Sequence, residues 1–164
     1  FLREKLFSGP TLEVGCGTGY YTKVLRDFVV GDYIALDYSD QMIFHNKVPN
    51  VTKINIDFMD YQSKRKFKSL FVFGVLEFFE DIPSCVDRMI ETVIIEGKIV
   101  IFYPRKNIYS SIYKKIHQSN RVEINLDFGN LECYIKSKIS CKIESRNIFP
   151  FSKILIVEKL SSIN

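Results

Sequence analysis

Glu13-Val14-Gly15-Cys16-Gly17-Thr18-Gly19 is the stretch on which the fold turns. Before the glycines, Thr11-Leu12-Glu13-Val14 reads as a short strand. After them, residues 18–28 set Tyr21, Val24, Leu25 and Phe28 at the i, i+3, i+4, i+7 spacing of one helix face. Glycines at such a junction let the backbone turn sharply and approach a ligand closely, while the helix N-terminus behind them offers free N–H groups. A tight strand-to-helix turn without a ligand uses the same residues. An acid at each of the next two strand ends separates the two readings. Asp37 closes the second extended run, 18 residues after Gly19, where a carboxylate can accept both hydroxyls of a ribose. Asp57 closes the third, one place further along the same edge. Ligands of open α/β sheets collect at that carboxyl edge, and two acids there are costly without a ligand or partner.

The same alternation continues outward. Residues 33–36 read as the second strand, cut by Asp37, and Ser39 or Asp40 can cap a brief helix to about Asn46. Residues 51–56 follow the Pro49-Asn50 turn as a third strand. Residues 69–73 are continuously apolar, as expected of a strand covered on both faces. Pro83 stands where a proline opens a helix, with Val86, Met89, Ile90 and Val93 on its buried face, and residues 98–103 form the next strand. The expected fold class is therefore α/β, a three-layer sandwich around a mostly parallel seven-stranded sheet. Residues 108–118 and 131–139 are expected to be helical, with a loop and a short extended piece over 120–130. Two extended runs, 142–149 and 152–159, flank Pro150 too closely for a helical crossover, so the last two strands form an antiparallel hairpin. No repeat or long linker divides the chain, and residues 1–164 are read as a single domain.

Composition narrows the function classes. With 46% hydrophobic and 26% charged residues, wholesale disorder is excluded. The longest apolar stretch, residues 70–79, contains Glu77 and is half the roughly 20 residues that a membrane span needs. Charges in Phe1-Leu2-Arg3-Glu4-Lys5 interrupt the apolar run a signal peptide requires. Cys16, Cys85, Cys133 and Cys141 form no C-x-x-C pair, and His45 and His117 lie far apart. No metal site and no disulfide framework are expected, and a cytoplasmic, reducing location fits. The net charge of +4 is mild. Its one dense cluster, Lys64-Arg65-Lys66-Phe67-Lys68, reads as a solvated loop or helix end before it reads as a nucleic-acid footprint.

Glycine spacing then selects the nucleotide. A dinucleotide site has G-x-G-x-x-G, with pyrophosphate at the helix N-terminus. Here the third glycine comes one residue early, Tyr20 occupies the fingerprint's last position, and Glu13 lies two residues before Gly15. A carboxylate beside the loop is a poor neighbour for pyrophosphate and a good one for an ammonium group. This combination resembles motif I of the class I S-adenosylmethionine-dependent methyltransferases. Leu36-Asp37-Tyr38-Ser39-Asp40-Gln41-Met42 is similar to the family's second motif, Ile54-Asn55-Ile56-Asp57-Phe58 to the third, and Phe71-Val72-Phe73-Gly74-Val75-Leu76-Glu77 to its fourth strand and the loop leaving it. The closing hairpin resembles the family's last two strands.

The resemblance implies S-adenosyl-L-methionine as cofactor and assigns roles. Gly15, Cys16 and Gly17 would run their backbone along its methionine part, with Tyr20 beside the loop and Glu13 near the amine. Asp37 would hold the ribose. Tyr38 and Met42 would pack one side of the adenine and Phe58 the other, with Asp57 accepting from the adenine amino group. The carbonyl of Gly74 would accept from the ammonium. Met42 and Phe58 equally suit plain core positions, and Cys16 a small loop filler. For the acceptor side, Glu77 is the best polar candidate; its alternatives are a helix cap or a pair with a surface lysine. Tyr103, Tyr109, Tyr113 and His117 are further candidates, and Phe78 and Phe79 could wall an apolar pocket. The loop Gly74-Val75-Leu76-Glu77 lacks the Asp/Asn-Pro-Pro-Tyr/Phe motif of nucleobase and glutamine amino-methyltransferases. The general similarity is to the small-molecule branch, which methylates carbon or oxygen. RNA or protein as acceptor, and a non-catalytic partner subunit that only binds the cofactor, stay open as alternatives, as does the oligomeric state. About ten residues precede the first strand, so a helical lid of the kind common in that branch is expected to be missing, disordered or supplied by a partner.

Overall fold

The structure, a computed structural model, describes residues 7–104, 131–148 and 152–162. Along the chain these form β1 (Phe7–Ser8), β2 (Thr11–Val14), α1 (Tyr20–Leu25), β3 (Val29–Val30), β4 (Tyr33–Asp37), α2 (Asp40–His45), β5 (Thr52–Asn55), β6 (Phe67–Phe73), α3 (Ile82–Thr92), β7 (Val93–Pro104), α4 (Leu131–Lys138), β8 (Ile139–Ile148) and β9 (Ser152–Ser162). The main sheet has seven strands in the order β5-β4-β2-β6-β7-β9-β8. Its first five strands are parallel neighbours, while β9 runs antiparallel to both β7 and β8. A mostly parallel sheet closed by an antiparallel hairpin is the expected architecture. The expected helix over 108–118, the segment 120–130, Tyr109, Tyr113, His117 and Pro150 lie outside the described residues.

Side-chain alternation along each strand divides the core in two. Leu12, Val14, Leu36, Leu70 and Val72 point to the face covered by α3 and α4. Tyr33, Ala35, Phe71, Phe73 and Val100 point to the opposite face, under Leu25 of α1 and Ile43 of α2. Covering on both sides is why Leu70-Phe71-Val72-Phe73 of β6 are apolar without interruption. Glu13 and Asp37 fall on the α1 face by the same period, since their neighbours Leu12, Val14 and Leu36 belong to the other.

Helix α1 differs from its expected form. Gly19, at φ 92°, holds the chain in the left-handed region, so α1 starts only at Tyr20 and passes into a 3-10 turn at Arg26–Phe28. The inward residues are consequently Thr22 and Leu25, and Val24, expected on the buried face, is 53% exposed. In α3 the expected face is buried, and Asp81 caps the start by accepting from Ser84 N at 3.0 Å, with Pro83 in the first turn. No helix among the described residues is long and apolar enough to cross a membrane.

Candidate functional site

In a parallel sheet all strand ends of one sense share an edge. Register aligns Val14 with Leu36 and with Val72, so the glycine loop, Asp37 and Gly74 emerge together. Between them lies a small, open cleft lined by Val14, Gly15, Leu36, Asp37, Tyr38, Ile56, Asp57, Phe58, Val75 and Phe79. Five of the sequence-assigned residues line it: Gly15, Asp37, Tyr38, Asp57 and Phe58.

The glycines fall into two kinds. A Cβ on Gly15 would sit 2.4 Å from Val75 Cγ2, and one on Gly19 would sit 2.6 Å from Asn46 Oδ1. The protein's own packing requires these two. A Cβ on Gly17 or Gly74 would meet nothing within 4 Å, although both have positive φ. Asp37, 8% exposed, ties the loop to β4: Gly17 N donates to its Oδ2 at 2.8 Å, and Ser39 N donates to its Oδ1 at 2.9 Å. Ser39 in turn accepts from Met42 N at 3.4 Å and starts α2.

Glu13 lies beneath the loop, outside the cleft lining. It is fully buried and pairs in register with Ala35, which brings Tyr33 within diagonal reach. The Tyr33 hydroxyl donates to Glu13 Oε2 at 3.0 Å. Burial pushes the Glu13 carboxyl up to about 7, against opposing stabilisation from Thr22 and Tyr33, with the charge of Asp37 adding to the rise. The Thr22 hydroxyl is close enough to contribute but makes no hydrogen bond of normal geometry. Burial, reinforced by Glu13 and Asp37, raises the Cys16 thiol to about 12, so it stays protonated and inert at neutral pH.

The remaining assigned residues sit as follows. Asp57 lies beyond the end of β5, exposed, and accepts from Met59 N at 2.8 Å. Phe58 is buried in the core as well as lining the cleft, and meets Phe79 edge-to-face at 6.5 Å. Tyr20 and Met42 are exposed and do not line the cleft; Tyr38 is exposed at its rim. Glu77 is fully buried in the 3-10 turn Leu76–Phe78 that leaves β6. It is not the cap of α3, which is Asp81. Its charge acts on Tyr21, whose hydroxyl is raised first by burial, then by Tyr20 and Glu77. The Tyr21 ring packs on Phe73 and Phe102, with centroids at 5.4 and 5.9 Å.

The sequence profile of the methyltransferase domain matches residues 12–101, more than half of the chain. The chain belongs to this family. It is an S-adenosylmethionine-dependent methyltransferase of class I. Among solved structures it resembles the N-methyltransferase NodS from Bradyrhizobium japonicum WM9 with S-adenosylhomocysteine (TM-score 0.70, 13% identity, 94% of this chain and 79% of that one). A DhpI complex with S-adenosylhomocysteine is similar at TM-score 0.74 and 18% identity, covering 97% and 80% of the two chains. The magnesium protoporphyrin IX methyltransferase ChlM from Synechocystis PCC 6803 is similar at TM-score 0.71 and 14% identity, covering 96% and 77%. At these identities the likeness is one of fold. No curated protein matches the chain in sequence.

Sequence reading missed Ile56 and Val75 in the methyltransferase's cleft, and Asn46 behind its loop. Asn46 carried a signal: it stands three residues after Ile43 on the inward side of α2, where a buried amide must find partners. The basic cluster lies at the opposite end of β6 from the cleft, because it precedes and opens that strand. Its central Phe67 is fully buried, Arg65 pairs with Asp32 at 2.9 Å, and Lys68 Nζ donates to Ser8 at 3.2 Å.

Proposed function

We propose that residues 1–164 act as one catalytic domain that methylates a small-molecule acceptor, at oxygen or carbon, at the carboxyl edge of the sheet. The observation carrying this reading is the pair of left-handed glycines, Gly17 and Gly74, whose missing side chains leave open space along the strand-end edge that Asp37 also occupies. A cradle of this kind suits S-adenosylmethionine, which when bound supplies an electrophilic sulfonium methyl. The backbone of Gly15, Cys16 and Gly17 would hold its amino-acid part, with the Gly74 carbonyl accepting from the ammonium. Glu13 would act on that ammonium from beneath the loop. Asp37 keeps lone pairs free after its two amide bonds and would take the ribose hydroxyls. Tyr38 and Phe58 would face the adenine, Asp57 would accept from its amino group, and Tyr20 and Met42 would close over the rim.

Positioning of an acceptor can lower the barrier by about 7–11 kcal/mol, so no catalytic dyad is required. Ile56, Phe58, Val75 and Phe79 give the cleft an apolar lining. Glu77 would orient an acceptor hydroxyl or take its proton, an effect of about 10²–10⁴ in rate for a true general base. The remote placement of the basic cluster supports a small acceptor over RNA, and the relative named for magnesium protoporphyrin IX supports an acceptor of that size class. The free cysteines support a cytoplasmic location.

The test has two stages. Calorimetry should show S-adenosylhomocysteine bound and NAD not bound. Labelled methyl transfer in a single turnover, over panels of small molecules, RNA and protein, should then give small-molecule product that falls in Glu77→Gln at unchanged cofactor affinity. Transfer to RNA, with binding that weakens steeply in salt, would replace this reading. Cofactor binding without transfer to any panel would make the chain a non-catalytic subunit.

A further inference from the structure

Gly17 has no packing partner in the direction of its absent side chain, yet it sits at the centre of the loop with φ 53°. Two side chains hold it, one on each side of its own backbone. Asp37 takes its N–H at 2.8 Å. Asn46 Nδ2 donates to its carbonyl at 3.4 Å and to Cys16 Sγ at 3.5 Å. Asp37 and Asn46 flank α2, so one short helix grips the loop from both of its ends. Asn46 is 3% exposed and is itself fixed: its backbone N bonds to Met42 O and Ile43 O, and its Oδ1 accepts from Val48 N at 3.2 Å.

This arrangement also explains the early third glycine. Any side chain on Gly19 would collide with Asn46 Oδ1, at 2.6 Å from the Cβ, and with Val48, at 2.9 Å. Gly19 makes the room through which Asn46 reaches Gly17. The Asn46 bonds are long and individually weak, but the amide that makes them is buried, away from water that could replace them, which makes the contact more consequential than its length suggests.

We propose that Asn46 is a positioning residue that sets the ligand-facing geometry of the glycine loop by holding the Gly17 carbonyl. The proposal rests on the reading that the amino-acid part of the cofactor lies over this loop. Asn46 does not itself line the cleft; it acts through Gly17.

Affinity for S-adenosylhomocysteine, compared with affinity for adenosine, tests it. Adenosine carries the base and ribose but lacks the part that meets the loop. Asn46→Ala should weaken S-adenosylhomocysteine about tenfold or more and leave adenosine within about twofold. Asn46→Asp, which keeps the acceptor for Val48 and loses the donor, should do the same. Equal losses for both ligands would indicate general destabilisation and overturn the proposal, as would two unchanged affinities. If the variants do not fold, the wild-type protein decides: the Asn46 side-chain amide resonances should shift on saturation with S-adenosylhomocysteine and much less with adenosine. Resonances unmoved by S-adenosylhomocysteine overturn the proposal alone. Failure of the wild-type protein to bind S-adenosylhomocysteine overturns the underlying site reading and the proposal with it.

Discussion

At its glycine-loop end the cleft is made of buried groups bonded across the fold; at its far end it is made of groups bonded to their own immediate chain. Asp37 joins Gly17 to Ser39, and Asn46 joins the loop to the far end of α2. The Asp57 carboxylate, by contrast, accepts from Met59 N, two residues on, in an Asx-type turn, and is exposed. The first end is organised before any ligand arrives. The second carries its carboxylate on a local turn beside a short edge strand, so Asp57 affects a ligand without supporting the fold.

Five substitutions would break or sharpen that contrast. Gly15→Ala should be the most damaging. Its Cβ collides with Val75 at a left-handed φ, which adds overpacking of about 1–3 kcal/mol to a conformational cost of about 1–2 kcal/mol. Gly17→Ala meets only the conformational cost, yet should lose S-adenosylhomocysteine binding as completely. Denaturant melts beside calorimetry check both, and equal stabilities for the two variants would refute the division of the glycines into two kinds.

Asp37→Ala comes next. It strips acceptors from two backbone amides, at about 1.5–3 kcal/mol per charge-assisted bond, so stability and affinity should both fall. An unchanged melt would mean the loop does not depend on this carboxylate.

Glu13→Gln should change the pH dependence of stability. The folded-state carboxyl titrates near 7 and the unfolded one near 4.5, so the folded protein holds the proton more tightly. Stability from this group is full below about 4.5 and is lost as pH rises through about 7, by about 2 kcal/mol and at most about 3. The glutamine variant should lose that slope, which melts at pH 5 and 7.5 would reveal. Parallel curves for parent and variant would show that Glu13 is not the group responsible.

Asp57→Ala should have the smallest structural effect, within about 0.5 kcal/mol, as for an exposed site away from packing. Affinity for S-adenosylhomocysteine should still drop severalfold. A stability loss as large as that of Asp37→Ala would erase the contrast between the two ends.

Much of this was legible from the chain because the signals are local. The glycine loop demands positive φ, and Gly15, Gly17, Gly19 and Gly74 all adopt it. The apolar run before Gly74 is a central strand, and the acid after Leu36 reaches the cleft. Where reading failed, the cause was tertiary. Val24 had the right spacing for burial, but a helix that starts at Tyr20 turns Thr22 inward instead. Lys159, legible only as the end of an extended run, is 4% exposed and caps the end of α3 by donating to Ile90 O at 2.9 Å and Val93 O at 3.2 Å.

Sequence alone therefore determined the order of strands and helices, the glycine loop and the acids at the carboxyl edge, since side-chain period and backbone conformation are properties of neighbouring residues. Tertiary structure decided which polar groups meet. Glu13 finds Tyr33 across 20 residues, Asn46 finds Gly17 across 29, and Lys159 finds Ile90 across 69. A buried polar group must be satisfied, but its own stretch of chain does not specify by whom; only the packing of the sheet brings those partners within hydrogen-bonding distance.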